Sequence, residues 1–266
     1  MMALDDQDRY VAFCDILGFS SLVRANQHLK LVRIYQRAFT QSAELSLSFG
    51  ATRQVVDQND QGVAVADFNQ ARVHSLLVSD TVLLWTDNDS MKSFVDLVAT
   101  TRNLLVSCLF AGLPLRGAIA HGPFSSFQSA LGGVQSNGML TFLGRGLVDA
   151  HALEKQQAWS GAVVAKECVG HYQALTQSYA GQIPDLADIE YLVAQRLLAE
   201  YPVPMKAGSS CAHLALNWPY ANRWRPTAEL VRNAFAQHGK AVGAPAVQCK
   251  IEQTIKFLQA VCPSSR

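Results

Sequence analysis

The sequence predicts an α+β fold with a ferredoxin-like antiparallel sheet and helices on one of its faces. Two observations lead to this prediction. Short apolar runs alternate with segments whose apolar residues recur at three- and four-residue steps, in the order β-α-β-β-α-β. The chain of 266 residues is also 49% hydrophobic and 16% charged, which is typical of a globular protein large enough to bury a sizeable core.

The first predicted strand covers residues 10–17, YVAFCDIL, and ends at Gly18. Asp15 lies inside this apolar run. Removing a carboxylate from water at such a position is costly unless a partner, a cation or a metal compensates its charge. The segment that ends at Leu47 has helical apolar spacing, so a strand carrying a candidate site residue leads into a helix.

The same two periodicities predict the next elements. Residues 51–70 are polar and weakly patterned, and we interpret them as a loop or a weak edge element. Residues 72–85 predict two short strands with Ser79 and Asp80 in the turn between them. The later predicted elements are a helix over 91–111 capped by Asp89 or Ser90, a strand over 114–124, a Gly- and Ser-rich stretch over 126–139, a helix near 146–158 and a strand over 162–165.

Beyond residue 168 the sequence is less informative. It predicts a helix within 183–201, a strand over 211–218 and helices over 227–237 and 250–261. Because no repeat or long linker divides the chain, we predict one elaborated domain over residues 1–266. Its core would span residues 10–168, followed by a C-terminal α/β extension over residues 169–266.

Charge, apolar runs and cysteines narrow the class of protein. A net charge of +1, without Lys or Arg clustered among aromatic residues, argues against a nucleic-acid polymer as partner and leaves a mononucleotide open. Neither a signal segment nor a run of about 18 apolar residues is found, so we expect a cytoplasmic protein without a membrane partner. The six cysteines lack metal or disulfide spacing, and buried free thiols are expected.

Several polar residues receive structural interpretations. Asp87 and Asp89 lack the glycine and glutamate of a calcium loop and are interpreted as turn and cap residues. Asp149 and Glu154 are interpreted as part of a solvated helix face. Structural or surface roles are expected for three scattered histidines: His74, His121 and His151.

Asp15 and Asp80 are predicted to meet. In the predicted sheet, the end of the first strand and the tip of the following hairpin lie side by side, although the two residues are far apart in the sequence. Two carboxylates at one place repel each other unless divalent cations hold them. The pair is therefore the principal candidate site.

Four segments resemble motifs of the class III nucleotidyl cyclases. FCDILGFSSL, which contains Asp15, resembles the FxDIxGFT motif, and SDTVLLW at 79–85 resembles the GDxxxxxF hairpin. LRGAIAHGP at 115–123 resembles the RxGIxxG strand, and LGRGLVDAHALEK at 143–155 lies where the family has GxxVNxAAR. The resemblance covers about residues 10–168, and the joint spacing is more specific than any one motif.

The resemblance implies the class III cyclase homology domain and its metal site. Asp15, Asp80 and the backbone carbonyl of Ile16 would hold two divalent cations, Mn or Mg, for attack of the ribose 3′-hydroxyl on the α-phosphorus of a nucleoside triphosphate. It also implies a homodimer with its active sites at the interface.

The substrate would contact the turn after the first strand and two apolar residues. Backbone amides from Gly18, Phe19 and Ser20 onward would receive the terminal phosphates, and Gly18 allows a close approach. Leu76 stands where adenylate and guanylate cyclases have a base-reading residue, and it cannot form a hydrogen bond. In a register aligned on the fourth motif, Phe142 replaces the other base-reading residue.

The same register places Asp149 where the family has an Asn, and Leu153 where it has the Arg that stabilises the transition state. Arg116 and Arg145 are the candidate replacements, with Arg116 as the catalytic prediction. The site is then either inactive, or it belongs to a divergent branch that reads another base.

The whole pattern resembles the bacterial Pycsar pyrimidine cyclases. These make cyclic UMP or cyclic CMP during phage infection, and the product activates a separate effector protein. The resemblance implies a uridylate cyclase, with UTP favoured over CTP. Two alternatives stay open: a catalytically silent cyclase-fold protein that binds a nucleotide as a sensor, and a divergent purine (adenylate) cyclase.

Overall fold

The computed structural model describes residues 7–56, 62–129, 139–180, 187–221 and 225–263. The strands are β1 Asp8–Ile16, β2 Thr52–Val56, β3 Gly62–Ala66, β4 His74–Val78, β5 Thr81–Trp85, β6 Leu115–Pro123, β7 Ser125–Ser129, β8 Met139–Leu143, β9 Gly161–Val164, β10 Leu198–Pro204 and β11 Ser210–Leu216. The α-helices are α1 Phe19–Ala25, α2 His28–Ile34, α3 Gln41–Leu47, α4 Met91–Phe110, α5 Arg145–Gln156, α6 Lys166–Ser178, α7 Ile189–Ala194, α8 Ala228–Ala236 and α9 Pro245–Val261. A π-helical segment, Tyr35–Thr40, joins α2 to α3.

Seven strands form the central sheet in the order β10-β11-β9-β6-β1-β5-β4. The pair β6 and β9 is parallel, and the other pairs in this sheet are antiparallel. The parallel pair needs a crossover connection, which α5 provides. The predicted α+β class and mainly antiparallel sheet are therefore confirmed, with one parallel pair added.

Strand β1 lies inside the sheet, between β6 and β5, and its side chains reach both faces. Successive side chains of a strand point to opposite faces. The ring of Tyr10 contacts Phe94 of α4 with centroids 5.2 Å apart, whereas the ring of Phe13 contacts His151 of α5 with centroids 4.5 Å apart. Helices thus cover both faces, and the expectation that they lie on one face is wrong.

The two faces carry apolar clusters of unequal size. The larger cluster includes Tyr10 and Cys14 of β1 and continues through α4 to α9. The smaller cluster lies on the face of α5, and its buried members are Val11, Leu83, Trp85 and Phe124. The smaller cluster lies on the same face of β1 as Asp15, the predicted site residue.

Two hairpins lie apart from the central sheet. β2 pairs with β3 inside the segment that the sequence predicts as a loop or weak edge element, and Val63 there is 41% exposed. β7 lies largely in the Gly- and Ser-rich stretch and pairs with β8, which begins where that stretch ends; residues 130–138 between them lie outside the described residues. Neither pattern was sufficient to predict a hairpin, because short strands with little burial show no clear alternation of apolar and polar residues.

Contacts join residues 169–266 to the core. β11 pairs with β9, so β10 and β11 extend the central sheet. The ring of Phe257 in α9 contacts Trp159 with centroids 4.7 Å apart, and the Lys240 ammonium donates to the carbonyl oxygen of Gly112. The division into core and extension within one domain stays a prediction.

Helix α4 has 20 residues and is the one helix in the described ranges with the length and composition to cross a membrane. Within its most apolar 18-residue stretch, 67% of the helix is buried inside the protein. Arg72 and Lys92 bind its buried Asp96. This burial is typical of a core helix.

Candidate active site

The structure brings Asp15 and Asp80 together at one end of β1. Asp15 is paired with Thr81 of β5 on one side and with Arg116 of β6 on the other. Asp80 lies in the turn between β4 and β5, and its carbonyl oxygen accepts a hydrogen bond of 2.9 Å from the Ile16 amide. Ser79 adopts a left-handed conformation, with φ of 56°, which makes the turn tight. The turn is thereby fixed against the end of β1.

The carboxylates around Asp15 repel one another. Burial, followed by the neighbouring charges of Asp80 and Glu154, raises the pKa of Asp15 to about 7, although Arg116 opposes the shift. Thr81 donates to Asp15 only at 3.5 Å. The ionised form of Asp15 therefore lacks adequate compensation from the protein itself.

A divalent cation would supply that compensation. Carboxylate and carbonyl oxygens are the ligands that Mg²⁺ and Mn²⁺ prefer. Asp15, the backbone carbonyl of the adjacent Ile16, and Asp80 offer such oxygens. The residues present thus fit the predicted cations.

Arg116 is buried and forms an ion pair with a carboxylate other than Asp15. Its guanidinium donates to Glu154 of α5 and, from Nη1, to the carbonyl oxygen of Gln157 at 3.1 Å. Glu154 is only 1% exposed, so its interpretation as part of a solvated face is wrong. Asp149 is exposed, as expected, and pairs with Arg145 at 3.3 Å. A catalytic role for Arg116 stays a prediction that would require this ion pair to open.

The two predicted base-pocket residues meet in the smaller apolar cluster. Leu76 of β4 is paired with Leu83 of β5, and both belong to this cluster. The Phe142 ring contacts Trp85 with centroids 5.3 Å apart. Phe13, two residues before Asp15, packs against the same cluster. Leu76 and Phe142 therefore share an apolar surface on the face of Asp15.

The turn after β1 exposes its backbone. Gly18 has φ of 79° and ψ of 18°, a left-handed conformation in which a side chain would be strained. Ser20 is exposed, whereas the Phe19 side chain lines an apolar cavity with Leu31 and Tyr35. Any contact of Phe19 with substrate phosphates would therefore come from its backbone.

A basic groove lies between α5, the start of α6 and the β10–β11 turn, and the sequence analysis missed it. Its volume is about 770 Å³. Arg145 and Lys155 of α5, Lys166 of α6 and Lys206 of the β10–β11 turn line it. Burial and the nearby Arg116 lower the pKa of Lys206. No motif predicts this groove, because the turn that carries Lys206 lies outside the resemblance.

Comparisons with known proteins yield fold neighbours at low identity. No protein-family model and no curated protein matches the chain. The adenylyl cyclase CyaB from P. aeruginosa is 13% identical, with a TM-score of 0.48 over 81% of this chain and 96% of that chain. A bacterial light-regulated adenylyl cyclase is 13% identical, with a TM-score of 0.46 over 86% and 98%. The guanylate cyclase domain of RhGC from Catenaria anguillulae, in complex with GTP, is 10% identical, with a TM-score of 0.45 over 79% and 96%.

Proposed function

We propose that the protein is a metal-dependent nucleotide cyclase that converts a pyrimidine nucleoside triphosphate to its 3′,5′-cyclic monophosphate and pyrophosphate. The observation that carries the proposal is the meeting of Asp15 and Asp80 at the end of β1, where the ionised pair lacks compensation from the protein. The motifs around both residues support the same reaction. UTP is favoured over CTP.

The reaction needs a bound triphosphate and a stabilised leaving group. Two divalent cations, Mn or Mg, held by Asp15, Asp80 and the Ile16 carbonyl would neutralise charge on the attacking oxygen and the phosphates. Backbone groups of Gly18, Phe19 and Ser20 directly follow these ligands in the chain and would bind the terminal phosphates. The protein's own contribution is to hold both carboxylates in place through β1 and the β4–β5 turn.

An apolar surface supports the choice of base. Leu76 and Phe142 offer no hydrogen bond to the edge of a purine, and Trp85 and Phe124 fill the space beside Phe142. Because these rings reduce the space left for a base, the single ring of a pyrimidine would fit beside them better than the double ring of a purine.

The missing family arginine requires another cation. Arg116 is buried in its pair with Glu154, whereas Arg145, in an exposed pair with Asp149, and Lys206 line the basic groove and are the alternatives. In a homodimer with shared sites, groups from one subunit complete the site of the other. Exposed apolar residues on β8 and α5 support such an interface: Leu140, Leu143 and Val148.

The proposed role is that of a second-messenger enzyme in antiphage defence. Its product would act on a separate effector that senses cyclic nucleotides. The protein would work in the cytoplasm, without a membrane or nucleic-acid partner. This role rests on the resemblance to the Pycsar cyclases.

The test is to incubate the purified protein with each of the four ribonucleoside triphosphates and Mn²⁺ or Mg²⁺, and to identify the products by mass. We expect one cyclic pyrimidine nucleotide and pyrophosphate. Asp15→Asn and Asp80→Asn should each abolish the product. A cyclic purine would keep the reaction and overturn the base assignment.

A catalytically silent nucleotide-binding protein is the second candidate. The burial of Arg116 against Glu154, together with Leu153 at the position of the family arginine, favours it. Metal-dependent nucleotide binding without pyrophosphate release would identify this function. Calorimetric titration with UTP, CTP and ATP, beside the product assay, separates the two candidates.

A further inference from the structure

Three potential metal ligands converge on the sheet face covered by α4 and α6. Asp89 lies in the connection between β5 and α4, His121 in β6 and His171 in α6. Asp89 Oδ2 lies 3.1 Å from Nε2 of His171 and 3.4 Å from Nε2 of His121. Taken together, the three ligand atoms lie within 4.8 Å of one another. Three separate elements thus place donor atoms around one point.

This cluster is separate from the Asp15 and Asp80 site. His121 is paired with Tyr10, five residues before Asp15 on β1, which corresponds to about 17 Å along a strand. Tyr10 faces α4, and Asp15 points to the opposite face. The two places therefore lie on different sides and towards different ends of the sheet.

Two buried polar atoms in and beside the cluster have no hydrogen-bond partner among the described residues. His171 Nε2 is buried and has no hydrogen-bond partner among the described residues, although Asp89 Oδ2 lies 3.1 Å away. Tyr10 is fully buried, its ring lies beside both imidazoles, and its hydroxyl also lacks a partner in the described chain. Buried polar atoms of this kind normally have a partner.

The two imidazoles lie face to face. Their rings stack with centroids 3.7 Å apart and an interplanar angle of 12°. The Asp89 carboxylate, whose Oδ2 lies within 3.4 Å of Nε2 of both histidines, supplies the negative charge of the donor set.

We propose that Asp89, His121 and His171 bind one divalent transition-metal ion, with Zn²⁺ as the ion that best fits the donors. Two imidazole nitrogens and one carboxylate oxygen are a typical set for Zn²⁺ with an open fourth position. The stacked rings would tilt towards each other to direct both lone pairs at one ion. Mg²⁺ would not compete well, because it prefers oxygen ligands.

The bound ion would join β6, α6 and the start of α4. Asp89 is the most accessible ligand, with 39% of its side chain exposed, so an ion can enter from that side. Asp89 is also free to act as a ligand because Ser90, and not Asp89, caps α4 through its bond to the Ser93 amide. The site is thus independent of the proposed cyclase reaction.

The test uses protein without an affinity tag, stripped of metal by a chelator and dialysed against Zn²⁺. Asp15→Asn and Asp80→Asn are introduced together as the background, so that the proposed cyclase site does not contribute. We expect one zinc per chain by elemental analysis, a visible absorption spectrum of bound Co²⁺ that Zn²⁺ abolishes, and a higher melting temperature with Zn²⁺.

Two ligand variants and one control identify the site. His171→Ala and Asp89→Asn should each weaken zinc binding by more than about tenfold. His74→Ala is the matched control, because His74 and Asp87 form an exposed pair, 2.5 Å apart, with only two ligands. Circular dichroism checks that each variant is folded. Absence of zinc from the background protein, or equal zinc binding by folded ligand variants, would overturn the proposal.

Discussion

Asp15 combines a structural cost with its proposed role as a metal ligand. It lies in a buried strand, opposite Arg116. Because the Arg116 guanidinium forms its ion pair with Glu154, the repulsion between the Asp15 and Asp80 carboxylates is not fully compensated. An unfolded chain would relieve this repulsion by returning both carboxylates to water. The site therefore lowers the stability of the metal-free fold, and a bound cation would restore it.

Asp15→Asn should stabilise the metal-free protein at pH 8 by about 1–2 kcal/mol, allowing for solvent screening of the half-exposed carboxyl. The folded-state pKa of Asp15 is raised from 3.8 to about 7, so its ionisation costs stability as pH rises through that interval. The Asn variant lacks this loss. Urea unfolding with a chelator, from pH 4 to pH 8, measures the difference.

Asp149→Asn is the matched control for that series. Asp149 is exposed and pairs with Arg145 on the same helix, so its substitution should change stability by less than about 1 kcal/mol. If Asp15→Asn proved less stable than the parent protein at pH 8, repulsion between Asp15 and Asp80 would not be a cost to the fold.

The ion pair between Arg116 and Glu154 connects strand β6 to helix α5. Both residues are at least nine-tenths buried. Glu154→Gln would leave the Arg116 charge buried without a counter-charge, and we expect a loss of about 3 kcal/mol in the free energy of unfolding. The midpoint of urea unfolding at neutral pH measures it.

Arg145→Ala removes an exposed ion pair from the same helix, and its expected cost is below about 1 kcal/mol. Equal effects of the two substitutions would mean that solvent reaches the Arg116 and Glu154 pair. In that case Arg116 would again be available to a substrate, which links this measurement to the choice between a catalytic and a silent site.

Strong periodicity made the principal elements predictable. The residues of β1, of the β4–β5 hairpin and of α4 show their burial directly in the sequence, and Asp15 and Asp80 were predicted to meet because strand ends and turns fix their places. Glu154 was misjudged, since its burial depends on α5 crossing the opposite face of the sheet. No local pattern joins Asp89, His121 and His171, because three distant elements bring them together only in the folded chain.

At the scale of the whole molecule, the proposed homodimer would form through apolar residues exposed on α5 and β8. Val148 of α5 is 64% exposed, and Leu140 and Leu143 of β8 are 52% and 53% exposed. A two-fold interface places the same patch of both subunits against itself. One substitution there therefore acts twice in the dimer.

Val148→Asp should dissociate the proposed homodimer, because each subunit would bring a carboxylate into the apolar interface and apolar contact would be lost. We expect the dissociation constant to rise by at least about tenfold, measured by sedimentation velocity, and product formation to fall in parallel. Leu29→Asp is the control, since Leu29 is 73% exposed on α2, away from α5 and β8. A Val148→Asp monomer that retained full activity would show that each chain carries a complete site. The cation that takes the place of the missing arginine would then come from the same chain, and Lys206 and Arg145 would be the first residues to mutate.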